Sequence, residues 1–270
     1  MRVLLTSHCD SGTIGGTQSW NRTVAGELVR RGHDVTMRGR RASMWPHVDL
    51  AIVSQNTTFE KARAVAERTI YVSHGPSELE HAPAGADEYV AVSDEIVRLR
   101  KQGPWNLIRQ PIDTEFWKPG PGQNIDVLRF SYYGGMAWLP DLCAQMGLTF
   151  HHLREEPSSE ACRNWCRGAN VIIASGRSAL EGMSCGRPVI IADQRPYNGK
   201  EPLGESDHEH AMLTNYSGRG GHPITPNAME VAIRYQLGAV PTLRGHVLKY
   251  HDVRNIVDQL LALVPEAVTA

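Results

Sequence analysis

The sequence predicts an α/β protein made of two doubly wound, Rossmann-like halves that face a cleft. Three observations predict it. Apolar runs of strand length recur along the whole chain, they are continuous rather than alternating, and helix-length segments lie between them. Continuous hydrophobicity marks strands covered on both faces, as in parallel sheets flanked by helices. Strands are expected near 2–7, 34–37, 48–54, 69–73, 88–92 and 106–109, then near 127–133, 148–152, 170–175, 188–192 and 211–214. So many strands exceed an ordinary single open sheet. The stretch Lys118-Pro-Gly-Pro-Gly-Gln123 reads as a linker. The expected division is a domain over 1–112 and a second over 123–250, with 251–270 as a terminal helix.

Taken in order, the opening strand Arg2-Val-Leu-Leu-Thr-Ser7 leads into a Gly-rich turn, Ser11-Gly-Thr-Ile-Gly-Gly-Thr17. A helix follows through Val24, Leu28 and Val29. Arg30 and Arg31 in its last turn, with Gly32 just beyond, are stop signals. The next strand starts at Asp34. Further helices are expected over 59–67, 94–101, 140–146, 159–167 and 178–185, and the polar, Gly/Pro-rich stretch 194–226 reads as loop. Near the end, Val253, Ile256, Val257, Leu260, Leu261 and Val264 recur at helical spacing. They define a strongly amphipathic helix closed by Pro265.

Bulk properties exclude several classes. The 270 residues carry 28 basic and 29 acidic side chains, a net charge of −1, so no global field draws the chain to nucleic acid or anionic membrane. Five cysteines, without paired C-x-x-C spacing, suit a reducing cytoplasm better than a disulfide framework. The chain enters a strand directly, without a signal-peptide pattern. Its apolar runs are too short to span a bilayer, and a soluble protein is expected. The glycines at 15 and 16 do not spell G-x-G-x-x-G, and no acidic residue follows at the distance that motif requires. A nicotinamide enzyme is therefore disfavoured.

The most informative segment is Ser178-Ala-Leu-Glu-Gly-Met-Ser-Cys-Gly-Arg-Pro-Val-Ile-Ile-Ala192. It reads as a short helix bearing one carboxylate, Glu181, then Gly186 as a stop and an apolar strand. Gly176, Arg177 and Ser178 would put backbone N–H groups and a hydroxyl where the helix begins, a site suited to phosphate. Glu181, one turn in, could take ribose hydroxyls beyond that phosphate. The expectation is that Glu181→Ala weakens nucleotide binding and leaves the fold intact.

At this point the chain resembles the GT-B glycosyltransferases, specifically their retaining group 1 type, in a compact version. Four segments in order carry the resemblance: the opening strand with Gly15-Gly16-Thr17, Tyr71-Val-Ser-His74-Gly75 with Val90-Ala-Val-Ser93, Leu107 to Pro119, and Leu180 to Val189. The last is the most specific. The resemblance implies a metal-independent transfer of a sugar from a nucleotide diphosphate donor to an acceptor hydroxyl, with no cofactor. It implies donor contacts from Gly15, Gly16, Thr17, Gly134, Gly135, Gly176, Arg177, Ser178 and Glu181. His74 would face the sugar as a hydrogen-bond donor, and His74 and Glu181 are the catalytic candidates. The terminal helix would cross back to the N-terminal domain.

In this sequence Ile173 stands eight residues before Glu181, where the family usually has a second Glu. The region 132–138 lacks the family's common Arg and Lys. Arg177 could supply that charge. These departures keep two alternatives open: a degenerate nucleotide-sugar-binding protein without transfer, and a sugar-nucleotide epimerase of the same architecture. His8 and Asp10 are acceptor-side candidates. Arg30, Arg31, Arg38, Arg40 and Arg41 read as a solvated edge, or else as a grip on an anionic acceptor such as DNA carrying a hydroxylated base or an acidic glycan. Asp207-His208-Glu209-His210 lacks further ligands at metal-site spacing, so no metal is expected. Cys162 and Cys166 read as packing residues on one helix.

Overall fold

The computed structural model describes residues 1–9, 15–100, 104–131, 135–154, 158–192, 199–202, 208–219, 224–238 and 243–264. The chain forms two compact units, one of Met1–Pro111 with His251–Ala270 and one of Ile112–Tyr250.

The first unit is built on β1 (Arg2–Ser7), β2 (Asp34–Gly39), β3 (Val48–Val53), β4 (Ala66–Ser73), β5 (Glu88–Ala91) and β6 (Asn106–Leu107). Their order in the sheet is β2-β1-β3-β4-β5-β6, every pair parallel. Helices α1 (Gly16–Arg30), α2 (Phe59–Arg63), α3 (Asp94–Leu99) and α10 (Val253–Leu261) belong to it. The strands are continuous apolar runs because both faces are covered. On one face Val3, Leu5, Ile52 and Val72 meet Trp20, Val24 and Leu28 of α1 together with Val253, Ile256, Val257 and Leu260 of α10. On the other, Leu4, Ala51, Val53 and Tyr71 meet Phe59 and Ala62 of α2. Arg31 joins the two helices of the first face, donating to Glu27 at 2.8 Å and to Asp258 at 2.5 Å.

The second unit contains β7 (Ile125–Phe130), β8 (Phe150–Leu153), β9 (Ala169–Ala174), β10 (Val189–Ala192) and β11 (Gly199–Pro202), with α4 (Leu139–Gln145), α5 (Ser159–Gly168), α6 (Arg177–Ser184), α7 (His208–Leu213), α8 (Pro226–Leu237) and α9 (Arg244–Tyr250). The sheet order is β11-β10-β9-β7-β8, parallel except for the β10–β11 pair. Gly182 lets α6 lie close on β9: a Cβ there would stand 2.9 Å from Cδ1 of Ile172. Arg244 of α9 reaches the C-terminal end of α6, donating to the Ser184 carbonyl and also to the carbonyls of Trp117 and Thr114. A cation at that end favours the helix dipole.

Several expectations are corrected. Residues 211–214, read as strand, lie at the end of α7 and in the turn after it. The stretch 194–226, read as loop, holds β11 and α7. Helices α8 and α9 were not anticipated. The helix expected over 59–67 stops at Arg63, because β4 begins at Ala66. Among the described residues, no helix is long and apolar enough to cross a membrane.

Candidate functional site

Each sheet has one point where the chain order reverses. Open α/β sheets take ligands beyond the carboxyl ends of the strands at that point. In the second unit it lies between β7 and β9. Gly135 and Met136 follow β7, and the Arg129 guanidinium, buried within β7, donates to the Gly135 carbonyl. Gly134, expected beside Gly135, lies outside the described residues.

From the end of β9 the chain passes through Gly176, whose φ of 57° suits a residue without a Cβ, into α6. The Gly176 N–H is taken by the carbonyl of Tyr216 at 2.7 Å. The N-cap residue of α6 is Gly176, which has no side chain to cap it. Ser178 is in its first turn, half-buried. Arg177 and Glu181 are one turn apart, their side chains each 9% exposed, with Nε of Arg177 donating to the Glu181 carboxylate at 2.8 Å. Thus α6 presents to its own N-terminal end a helix dipole, a hydroxyl and a buried ion pair. Ile173, in the position of the family's second Glu, is fully buried in β9 with Val127, Val171 and Ile190.

The sequence reading missed Asn215 and Tyr216. Both have positive φ, 53° and 54°, and the turn they form delivers the carbonyl that fixes Gly176. Left-handed backbone in a buried Tyr is uncommon. No local pattern announces it, although an Asn after a short helix is a weak turn signal.

In the first unit the reversal falls between β1 and β3. His8 follows β1, Gln55 follows β3, and His74 follows β4. The His8 N–H donates to Oε1 of Gln55 at 2.7 Å, and its Nδ1 lies 3.1 Å from the Thr57 hydroxyl. The His74 N–H donates to Oε2 of Glu80 at 2.9 Å, and its ring meets Trp20 of α1 edge-on at 5.2 Å. Gly15, Gly16 and Thr17 open α1; Gly15 accepts from the Ser19 N–H, and a Cβ on it would stand 2.5 Å from the Gln18 amide oxygen. Asp10 lies outside the described residues. Gln55 and Glu80 were not singled out from sequence. Gln55 could have been, since it is a polar residue two places past an apolar strand, close to where His8 and His74 follow theirs.

The remaining clusters separate. Arg30 and Arg31 are engaged by Glu27 and Asp258, and Arg38 donates to the carbonyls of Met37 and Met44. Arg40 and Arg41 are exposed beyond β2. Asp207 lies outside the described residues, while Glu209 and His210 are exposed on α7. Among the described residues no group of three His, Cys, Asp or Glu could hold a metal. Cys166 is buried in the core of the second unit, and burial pushes its thiol well above the usual range.

No protein-family model matches the chain. No curated protein matches it either. Solved structures do. An alpha-glucosyltransferase in complex with UDP and a 13-mer DNA containing an HMU base has a TM-score of 0.60 and 12% identity, with 100% of both chains covered. AviGT4, a glycosyltransferase involved in avilamycin A biosynthesis, has a TM-score of 0.62 and 11% identity, with 100% of this chain and 98% of that one covered. An alpha-glucosyltransferase in complex with UDP has 0.55 and 11%, with 99% of each covered. The chain therefore has the mixed α/β fold, with parallel sheets, of these GT-B glycosyltransferases.

Proposed function

We propose that this protein is a metal-independent glycosyltransferase, of the retaining group 1 type, that moves a sugar from a nucleotide diphosphate donor to an acceptor hydroxyl. The observation that carries the reading is the β9–α6 passage at the strand-order reversal of the second sheet, with Gly176 fixed in the left-handed region and Glu181 one turn into α6. Glu181 takes the ribose hydroxyls, while the first-turn amides of α6 and the Ser178 hydroxyl take the diphosphate. Arg177 and the helix dipole offset the charge that develops on the leaving nucleotide, the task that donor groups fixed in advance perform best. Gly134 and Gly135 complete the phosphate side, Gly15, Gly16 and Thr17 approach the donor, and His74 donates a hydrogen bond to the sugar. His8 and Asp10 serve the acceptor.

Five free cysteines support a cytoplasmic location. The exposed Arg40 and Arg41 favour an anionic acceptor, and one neighbour of the same fold was solved with DNA. UDP is the first donor nucleotide to test, because it is bound in two of those neighbours.

The test is a thermal-shift panel of UDP, GDP, ADP and TDP, each with magnesium and with EDTA. One nucleotide at about 100 times its Kd should add about 2.7 kcal/mol of stability, equally in both conditions. A shift seen only with magnesium would overturn metal independence; no shift with any nucleotide would remove the donor site. Ile173, buried where the family has a carboxylate, favours one second reading, a nucleotide-sugar-binding protein without transfer. Nucleotide stabilisation without any hydrolysis of UDP-sugars in the absence of acceptor would select it.

A further inference from the structure

We infer that Glu80 is a positioning residue that sets the loop ends carrying His8 and His74 through a directional hydrogen-bond relay. The inference rests on the reading of His74 as the sugar-facing group.

Glu80 closes a short 3-10 turn over Glu78–Glu80 and is 5% exposed. Each of its carboxylate oxygens has a separate donor. Oε2 accepts from the His74 N–H at 2.9 Å, and Oε1 accepts from Nε2 of Gln55 at 3.4 Å. The other end of the Gln55 amide, Oε1, accepts from the His8 N–H at 2.7 Å. The relay thus joins the ends of β1, β3 and β4. Its direction is set by the charge on Glu80. Both backbone amides can only donate, and Gln55 can serve His8 with its oxygen only while its NH₂ finds an acceptor in Glu80.

A proton on Oε1 of Glu80 turns that acceptor into a donor facing the Gln55 NH₂. The Gln55 NH₂ then loses its charged acceptor, and its hold on the orientation that serves the His8 N–H slackens. Among the described residues, the charged and titratable groups around Glu80 are Arg100, which follows α3, and Tyr71 on β4; through the hydrogen bonds, His8 and His74 join them. Arg100 favours the charged form but directs its hydrogen bonds to the Gly75 and Ser77 carbonyls and the Ser73 hydroxyl. Burial outweighs these effects and raises the Glu80 pKa to about 7. The relay is intact above that pH and slackens below it.

The experiment follows the Glu80 carboxyl carbon and the Gln55 side-chain amide by NMR from pH 5 to 9, beside turnover of a UDP-sugar and affinity for UDP. In the wild type both signals should move with one midpoint near 7, and turnover should fall on the acid side of it. Glu80→Gln should abolish the step at Gln55, remove that limb of the turnover profile and lower turnover by roughly tenfold or more, with UDP affinity unchanged. Gln55→Leu covers a failure of Glu80→Gln to fold. It keeps the Glu80 titration and frees the His8 amide from it. A Gln55 signal that ignores the Glu80 titration, or a Glu80→Gln profile equal to the wild type, would overturn the relay. Coupled titration without sugar transfer at any pH would instead overturn the transferase reading and leave the relay standing.

Discussion

At the scale of single residues, Glu80 shows how a buried carboxyl trades stability for placement. Its pKa lies near 7 in the folded chain against an ordinary 4.5, with desolvation the largest cause. The folded state therefore holds a proton that the unfolded state releases between those two values. The sign follows: stability is full below pH 4.5 and is lost as the pH rises through about 7. The ionised form costs about 3 kcal/mol at alkaline pH by the size of the shift. Glu80→Gln removes that titration and keeps the shape. Urea denaturation should find the variant gaining stability on the wild type between pH 4.5 and 8. A difference independent of pH would show that Glu80 does not titrate in this window. Nothing in the sequence marks Glu80, since its burial and partners come from a turn that folds it under β4.

Among the elements, α6 was the most legible. Its start after Gly176, its carboxylate and its Gly186 stop all stand in the sequence as local signals. The pairing of Arg177 with Glu181 is also written there as an i, i+4 spacing, but its burial is not. That burial changes an expectation. Glu181→Ala removes a carboxylate to which a 9% exposed guanidinium donates, so an intact fold should come at a cost in stability. Stability should fall by roughly 1.5–3 kcal/mol, as for loss of a charged hydrogen bond, together with at least a tenfold loss of UDP affinity, about 1.4 kcal/mol. Calorimetric titration and denaturation on the same variant separate the two; lost stability with wild-type affinity would make the pair purely structural.

The elements that escaped reading did so for physical reasons. Ala211-Met-Leu-Thr214 is a short apolar run that periodicity cannot assign to strand or helix. Gly199-Lys-Glu-Pro202 has no strand character of its own and is held by the edge of β10. The α8 helix did carry its signals, a Thr225 cap bonded to the Ala228 N–H and Pro226 at its first position, but they stood beside Gly- and Pro-rich sequence.

At the scale of the whole molecule, the route of the chain decides what each part needs. The second unit is one continuous segment, Ile112–Tyr250, whereas the first is assembled from both ends of the sequence. Its sheet and α1 come from the first 111 residues, yet the face of α1 is closed by α10. There Val253, Ile256, Val257 and Leu260 are each at most 2% exposed, and Nδ1 of His251 donates to the Gln110 carbonyl at 2.9 Å. Burying those four side chains contributes roughly 6–12 kcal/mol, comparable to the entire net stability of an ordinary domain. A chain ending at Tyr250 should therefore lose the first unit while the second, with its two apolar clusters on either side of β9, stays folded. Hydrogen exchange resolves the outcome: amides of β1, β3 and β4 should become unprotected in the truncated chain, and those of β7 and β9 should keep their protection. Wild-type protection of β1 and β3 after truncation would mean that α10 covers the first unit without holding it together.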